Sequence, residues 1–457
     1  MQLIREKQFY KHITVLAAPI VLQNIITYSV TLADNVMVGS LGTSSLSGVY
    51  MANQVMNLLQ MLVTGLSAAM VVLATQYWGK KDTASIKSIV GIALKMVVSL
   101  SMLLWIAVLL WPEALLRIFT DSEPVIACGK EYLSIVCYSY LFFGLTNVLI
   151  SSMRCVENVK IGMYVSMAAL LTNVSLNYVL IFGHFGAPRL GLSGAAIATL
   201  ISRIVEFSII LFYVAKKDQK LHIHVKELWH SSPGLLRDFF KYGVPVIAGS
   251  LLWGLNGSYQ SAIIGRLSAA AISAVSISNT VYQLTSVAIF GIREASSIIV
   301  GKAVGTNNFD LVKRYAVTFQ VMFLGVGLIT GLLIFSLRDI ILLLYSNLDA
   351  ETIIVSRQLM TVLAITTVGT AYQMGTLTGV VRAGGATNFV LKNDTCFVVF
   401  VIIPASLLAS YVFHAPAWVV YLCLKCDQLL KCIVAFIKVN RFNWVRNLTR
   451  ERAVQAS

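Results

Sequence analysis

Charged residues are scarce in this chain. They make up 12% of its 457 residues, whereas 57% are hydrophobic, and the mean hydropathy is +0.79. So few polar side chains cannot cover the surface of a water-soluble protein of this length. The composition therefore excludes an ordinary soluble domain and indicates that most of the surface faces lipid.

Sequence signatures of enzymes are also absent. The chain has no HExxH motif, no nucleophile elbow and no phosphate-binding glycine loop with its lysine. A membrane-embedded enzyme is therefore the weakest hypothesis, and no cofactor is expected. The seven cysteines, an odd number, lie mostly within apolar runs. Their odd number and their position argue against a disulfide framework. They are better explained as small side chains within membrane helices than as ligands of a metal site.

Long apolar runs are abundant. A run of about 20 residues can cross the hydrocarbon core of a bilayer, and in lipid it must satisfy its own backbone hydrogen bonds as a helix. We therefore predict an all-α integral membrane protein with twelve transmembrane helices. The runs begin near Ile13, Val49, Ile89, Gly129, Ile161, Gly191, Gly243, Ala274, Tyr315, Ile353, Val390 and Ala415.

The basic residues predict the orientation in the membrane. Lys and Arg crowd alternate connections, as at Lys80 and Lys81 after the second run and at Lys216 and Lys217 between the halves. By the positive-inside rule, both termini are cytoplasmic and the protein is a multi-pass protein of the cytoplasmic (inner) membrane. The net charge of +15 is then a feature of topology, and we expect no nucleic-acid binding. No obligate protein partner is evident.

The two halves of the sequence are copies of each other. Pro19 and Pro245 lie 226 positions apart, and the same shift superimposes the following pairs without a gap: Gly39 and Gly265, Asn53 and Asn279, Gly65 and Gly291, Gly79 and Gly305. Six helices per copy make these parallel repeats, an architecture typical of transporters. We expect an N-lobe at 1–215, a cytoplasmic linker at 216–241, a C-lobe at 242–440 and a cytoplasmic tail at 441–457.

Asp34 is the clearest ionisable residue within an apolar run. A charged group at the centre of a membrane helix costs about 2.5 to 3.5 kcal/mol, so it needs a reason to be there. Asp34 is either hydrated at the outer interface or faces a central cavity, where it could hold H⁺ or Na⁺. Pro19 on the same helix predicts a bend, which would make this helix a moving part.

Polar side chains on two later runs could complete a site with Asp34. Asn173 and Asn177 are four residues apart and so share one face of a helix, and Thr199 follows on the next run. One carboxylate with several neutral oxygens suits a protonation switch or a Na⁺ site, and no other metal is expected. Asn and Thr are also common contacts between membrane helices.

Two further pairs of charges lie within the runs of the second half. Adjacent residues on a helix point about 100° apart, so we expect Arg293 and Glu294 not to pair with each other. Glu294 then either has partners on neighbouring helices or faces the cavity, where it would attract cationic compounds. Asp427 and Lys431, four residues apart, predict an ion pair within one helix, with a structural role.

Several short stretches, distributed over nearly the whole length of the chain, form a recognisable pattern: Asp34 to Gly42, Asn173 to Asn177, Ile181 to Gly183, Gly194 to Thr199, Gly243 to Pro245, Gly301 to Gly305 and Arg382 to Gly385. In these stretches the chain resembles the multidrug and toxic compound extrusion (MATE) family of cation-coupled exporters. The resemblance implies two six-helix lobes around a central V-shaped cavity. It also implies export of amphipathic, often cationic small organic compounds in exchange for H⁺ or Na⁺.

The resemblance also assigns roles to residues. Asp34 matches the first-helix acid of the family's N-lobe cation site, Asn173 its asparagine and Thr199 its threonine, whereas Asn177 stands where many members have aspartate. The acids of a C-lobe cation site are missing, so the chain looks closer to the bacterial branch with an N-lobe site. Candidate contacts in the substrate cavity are Met56, Tyr138, Trp253, Gln260, Tyr282, Arg293 and Glu294.

A flippase for lipid-linked sugars is the alternative function. Such proteins of the related superfamily tend to have a strongly cationic cavity and additional helices. Twelve runs with few buried basic residues argue against this function, and Arg293 favours it.

Overall fold

The architecture was obtained as a computed structural model, which describes residues 3–223, 227–228, 232–343 and 349–450. Parts of the predicted linker (224–226 and 229–231) and of the predicted tail (451–457) lie outside the described residues. Every regular element among the described residues is helical. The prediction of an all-α membrane protein is confirmed.

The described residues up to Lys217 form eight α-helices. They are α1 (Lys7–Gly39), α2 (Thr43–Gly79), α3 (Thr83–Leu110), α4 (Pro112–Arg117), α5 (Glu123–Val136), α6 (Ser139–Cys155), α7 (Lys160–Phe182) and α8 (Gly191–Phe212), which a π-helical turn extends over Tyr213–Lys217. Local sequence sets several of the ends. The Asp82 side chain accepts a hydrogen bond from the Ser85 amide and so begins α3, and Gly183, with φ of +77°, ends α7.

The described residues of the second half form the α-helices α9 (Pro233–Ile264), α10 (Ala269–Thr285), α11 (Val287–Gly305), α12 (Phe309–Leu343), α13 (Ala350–Met374), α14 (Thr387–Phe397), α15 (Ile403–Leu407) and α16 (Ala417–Asn440). π-Helical turns follow α13 at Gly375–Val381, α14 at Val398–Ile402 and α15 at Leu408–Val412.

Each of the twelve predicted runs corresponds to a helix, a bent pair of helices or a helix continued by π-turns. Among the described residues, eight helical segments are long and apolar enough to cross a membrane. The number rises to ten if each bent pair of helices is counted as one span. The bent pairs are α5 with α6, at 56°, and α10 with α11, at 45°. The other two runs form α9 and α16, which have 32 and 24 residues and are not among these spans.

The chain divides into two compact units. The N-unit comprises Leu22–Ala74 and Asp82–Gly243, and the C-unit comprises Met1–Val21, Thr75–Lys81 and Val244–Ser457. The chain passes from one unit to the other shortly after Pro19 and immediately before Pro245, which are equivalent positions in the two repeats. The C-unit thus includes the beginning of α1 and the end of α2, and the sequence-predicted lobes remain a prediction.

Within the C-unit, the ends of α2 and α11 touch backbone to backbone. A Cβ atom on Gly79 would overlap the carbonyl oxygen of Lys302, and one on Gly305 would overlap the carbonyl oxygen of Gln76. Lys302 is the duplicate of Gln76, as Gly305 is of Gly79, so the contact is reciprocal. Both positions must remain glycine because no side chain fits between the two backbones.

Residues 441–450 form a strap that closes the C-unit. The indole of Trp444 is fully buried against Gly384, where a Cβ atom would overlap the ring. The Gln76 side chain donates to the Ala383 carbonyl (3.0 Å) and accepts from the Leu448 amide (2.7 Å). The strap therefore ties the end of α2 to the turn that follows α13.

We predict that Trp444→Ala destabilises the C-unit by about 3–5 kcal/mol, because it removes a large side chain that is buried on all sides. The purified variant should melt at a clearly lower temperature than the parent protein. Asn443→Ala, at the neighbouring exposed position, is the control and should melt like the parent. Equal melting of the two variants would show that the strap contributes nothing.

Candidate functional site

Asp34, Asn173 and Asn177 meet inside the N-unit. The Asn177 amide nitrogen donates to Asp34 Oδ1 (2.5 Å) and to Asn173 Oδ1 (3.2 Å). Asn173 and Asn177 are 1% and 0% exposed, respectively, and Asp34 is half-buried. The expectation that the two asparagines share one face of their helix is confirmed.

The local fold places these side chains together. Gly183 ends α7, and the chain returns to α8 with the Leu190 amide bonded to the Leu180 carbonyl at 2.9 Å. At Gly194 a Cβ atom would lie 2.7 Å from the Leu180 carbonyl oxygen, so α7 and α8 pack at backbone distance. Thr199 is thereby placed on the helix next to the asparagines.

The amide nitrogen of Asn177 is directed at two acceptors, the Asp34 carboxylate and Asn173 Oδ1, and its oxygen points away from them. Asn177 Oδ1 and Asn173 Nδ2 are buried and have no hydrogen-bond partner among the described residues. Such unpaired polar groups are costly in an interior.

Three residues around Asp34 were not anticipated from the sequence. Arg203 of α8 attracts the Asp34 carboxylate and forms an ion pair with Glu206 at 2.8 Å. Tyr132 of α5 lies nearby, and its side chain interacts with that of Thr199. Arg203 and Glu206 stand within the apolar run from Gly191, so the signal that pointed to Asp34 also marked them.

The site has an excess of negative charge. Asp34 and Glu206 contribute two carboxylates, and Arg203 contributes one guanidinium, which also stacks over the Phe143 ring at 5.1 Å. The side chains of Arg203 and Glu206 are 26% and 9% exposed, so water screens this pair little. Neutralising one carboxylate would balance the charges, which a proton or a monovalent cation can do.

The candidate substrate contacts are distributed over both units. Met56 and Tyr138 belong to the N-unit, where Tyr138 is 48% exposed and packs edge-on against Trp105. The other five, Trp253, Gln260, Tyr282, Arg293 and Glu294, belong to the C-unit. Trp253 is 65% exposed, and Gln260 and Tyr282 are partly buried. Their role in binding a substrate remains a prediction.

The expectation that Arg293 and Glu294 do not pair with each other is wrong. Arg293 Nη2 lies 3.3 Å from Glu294 Oε1, and the guanidinium also lies over the Phe290 ring at 5.3 Å. Although adjacent residues leave a helix in different directions, the long arginine side chain can turn back to reach its neighbour. The predicted pair Asp427–Lys431 does form, at 3.0 Å.

A model of the MatE family matches residues 19–179 and 245–407, the same part of each repeat. "Multidrug resistance protein NorM" of Photobacterium profundum is 24% identical over 387 residues, which are 83% of this chain and 82% of that protein. "Probable multidrug resistance protein NorM" of Agrobacterium fabrum is 25% identical over 329 residues, 71% of this chain and 70% of that protein.

Solved structures share the fold. The structure of a Vibrio cholerae MATE transporter superposes with a TM-score of 0.86 at 17% identity, covering 96% of this chain and 98% of that one. A MOP superfamily transporter from Pyrococcus furiosus, described as having a binding pocket of reverse polarity, gives a TM-score of 0.86 at 17% identity. It covers 98% of this chain and 100% of that one.

Glu206→Gln should destabilise the N-unit by about 1–3 kcal/mol, because it removes the charged partner of Arg203 in a mostly buried position and leaves only the attraction of Asp34 to compensate the guanidinium. Glu227→Gln is the matched control. It removes the same charge from the more exposed pair Lys87–Glu227, which spans 2.7 Å, and should cost about 1 kcal/mol or less. Thermal melting of both purified variants is the measurement, and similar melting temperatures would contradict the prediction.

Proposed function

Because the chain belongs to the MatE family of membrane transporters, we propose that it exports amphipathic, often cationic organic compounds by secondary active transport. Export is coupled by alternating access to the inward movement of H⁺ or Na⁺. The observation that carries this proposal is the carboxylate of Asp34, which two buried asparagines contact and one arginine attracts. No step of bond-breaking chemistry is required of the chain.

Asp34 is the coupling residue in this proposal. Its helix, α1, contains Pro19 and passes from the C-unit to the N-unit at Val21–Leu22. A charge change at Asp34 alters its bonds to Asn177 on α7 and its attraction to Arg203 on α8. Binding of the coupling ion would therefore change how α1 packs within the N-unit.

The local geometry favours H⁺ over Na⁺. A sodium ion would need several oxygens pointing at it, as other hard cations do. Here the group that faces Asp34 is an N–H donor of Asn177, and the free oxygen of that amide points elsewhere. A proton needs only the carboxylate itself.

Coupling sets a thermodynamic condition on the two ligands. Exchange requires that the ion and the exported compound prefer different conformations of the protein. A ligand that binds both conformations with equal affinity does not shift the equilibrium between them. A membrane potential that is negative inside the cell contributes about 2.3 kcal/mol per charge per 100 mV to the inward movement of the ion. We place the protein in the cytoplasmic membrane, with both termini on the cytoplasmic side.

A flippase for lipid-linked sugars remains the second candidate. It is favoured by basic side chains in the interior of the C-unit: Lys431 is 6% exposed, and Arg293, at 18% exposed, lies close enough to Arg382 for the two to repel. These cations would suit an anionic headgroup. They are partly balanced by Glu294 and Asp394, so we retain export of small organic compounds as the first candidate.

Asp34→Asn should abolish efflux while leaving the fold intact, because asparagine keeps the shape of the side chain and removes the exchangeable charge. The measurement is efflux of a panel of organic cations from cells that express the variant. Asp121→Asn, the same substitution on an exposed loop, should transport like the parent. Vigorous efflux by a well-expressed Asp34→Asn variant would place the coupling elsewhere.

An imposed proton gradient should drive transport by the purified protein in proteoliposomes, and a sodium gradient of equal size should not. The reason is the N–H donor that faces Asp34. Stimulation by sodium alone would refute the preference for H⁺ but keep the exchange proposal. Indifference to both ions would reject antiport. Movement of lipid-linked sugars in place of organic cations would favour the flippase.

A further inference from the structure

Three basic side chains meet where α16 ends and the strap begins. Lys438 and Arg441 are three positions apart and so are neighbours on the surface of the helix. Arg446 follows on the strap. Both arginines lie close enough to Lys438 for their charges to repel its own. We call these three residues the basic cluster, and all of them belong to the C-unit.

The strap folds back over the end of α16. The Trp444 indole nitrogen donates to the Val439 carbonyl at 2.9 Å, and the Phe442 amide donates to the same carbonyl at 3.3 Å. Further along, the Arg446 amide donates to the Gly384 carbonyl at 2.8 Å. Arg446 is therefore fixed beside the helix by its backbone, while the residue as a whole remains exposed.

The charges of the basic cluster are not compensated by acids. Within the described ranges, none of its three side chains forms an ion pair with a carboxylate. The Lys438 ammonium lies over the Phe389 ring at 4.4 Å, which attracts a cation but does not cancel its charge. By contrast, the nearby Lys313, which lies over the Phe442 ring at 6.0 Å, has an acid at 3.6 Å in Asp310.

An apolar face of α16 leads to the basic cluster. Ile433, Ile437 and Arg441 are spaced by four and so lie along one face of the helix, with Phe436 beside them. These three apolar side chains are exposed although they are large. In a protein whose surface faces lipid, an exposed apolar face of this kind contacts acyl chains. The face ends at Arg441, about 12 Å along the helix from Ile433.

We propose that the basic cluster and this apolar face form a binding site for an anionic phospholipid. The phosphate lies among the three cations, and an acyl chain follows the face from Ile437 towards Ile433. A zwitterionic headgroup fits less well because its own cation meets the same repulsion. In the orientation predicted above, the site faces the cytoplasmic leaflet, where anionic lipids attract basic residues close to the membrane. The proposal does not depend on what the protein transports.

A bound phosphate would stabilise the strap. Repulsion between Lys438 and Arg446 acts between α16 and the strap and so opposes their contact. An anion placed among the cations offsets this repulsion. Because the strap buries Trp444 against Gly384, the anionic lipid should raise the stability of the whole C-unit.

Thermal melting of the purified full-length protein in a neutral detergent tests the proposal. Three additions are compared at equal concentration: short-chain phosphatidylglycerol, phosphatidylcholine with the same chains, and inorganic phosphate. We expect phosphatidylglycerol to raise the melting temperature in a saturable way and the other two to have much smaller effects. An equal shift with phosphatidylcholine would show that the headgroup charge is irrelevant. An equal shift with inorganic phosphate would show a site for free anions. Either result would overturn the proposal.

Substitutions in the basic cluster locate the effect. The triple variant Lys438→Gln, Arg441→Gln, Arg446→Gln should lose the shift caused by phosphatidylglycerol. Each single substitution should weaken the apparent affinity for this lipid about fivefold. The control is Lys160→Gln, Lys216→Gln, Lys217→Gln, which removes three exposed charges from the N-unit and should keep the shift. Equal behaviour of the two triple variants would reject the site.

Arg446→Glu provides a second test that does not rely on loss of charge alone. It places a carboxylate beside Lys438 and so supplies from the protein the negative charge that the lipid would bring. Without lipid, this variant should melt above the parent protein, and phosphatidylglycerol should raise its melting temperature less. A response to the lipid as large as that of the parent would contradict the proposal.

Discussion

The reciprocal contact between Gly79 and Gly305 is the constraint on which the C-unit depends. Each glycine lies against the carbonyl of the residue three positions before its duplicate, Lys302 and Gln76. Gly301 makes a third contact of this kind, with the side chain of its own duplicate, Thr75. The end of α2 can therefore belong to the C-unit although the rest of that helix does not. Among the glycines shared by the repeats, Gly79 and Gly305 permit this approach.

Buried charge is arranged differently in the two halves. On α8, the last long helix of the first repeat, Arg203 and Glu206 pair within the helix and lie beside Asp34. On α16, its counterpart, Lys431 and Asp427 pair in the same way, and Asp394 joins them from α14. In lipid such groups are stable only when they compensate one another.

The sequence predicted the helices and part of the site for clear physical reasons. Helices in lipid are determined by the length of apolar runs, and Asn173 and Asn177 share a face because of helix periodicity. The partners of Asp34 on α8 could have been found by the same test for charge within a run. The ion pair between Lys431 and Asp394 could not have been predicted in this way, because no local sequence pattern shows that the two helices carrying these residues pack together. The bends between α5 and α6 and between α10 and α11 also depend on packing.

The strap at 441–450 has a consequence for the order in which the protein is made. Lys80 donates to the carbonyl of Arg450, a residue 370 positions later, and the Tyr77 hydroxyl accepts from the Arg450 amide. A ribosome has therefore completed all the helices described here before the end of α2 finds these partners. Until then, the Trp444 site next to Gly384 stays open to solvent. The C-unit consequently acquires its final packing only after residues 441–450 have been translated.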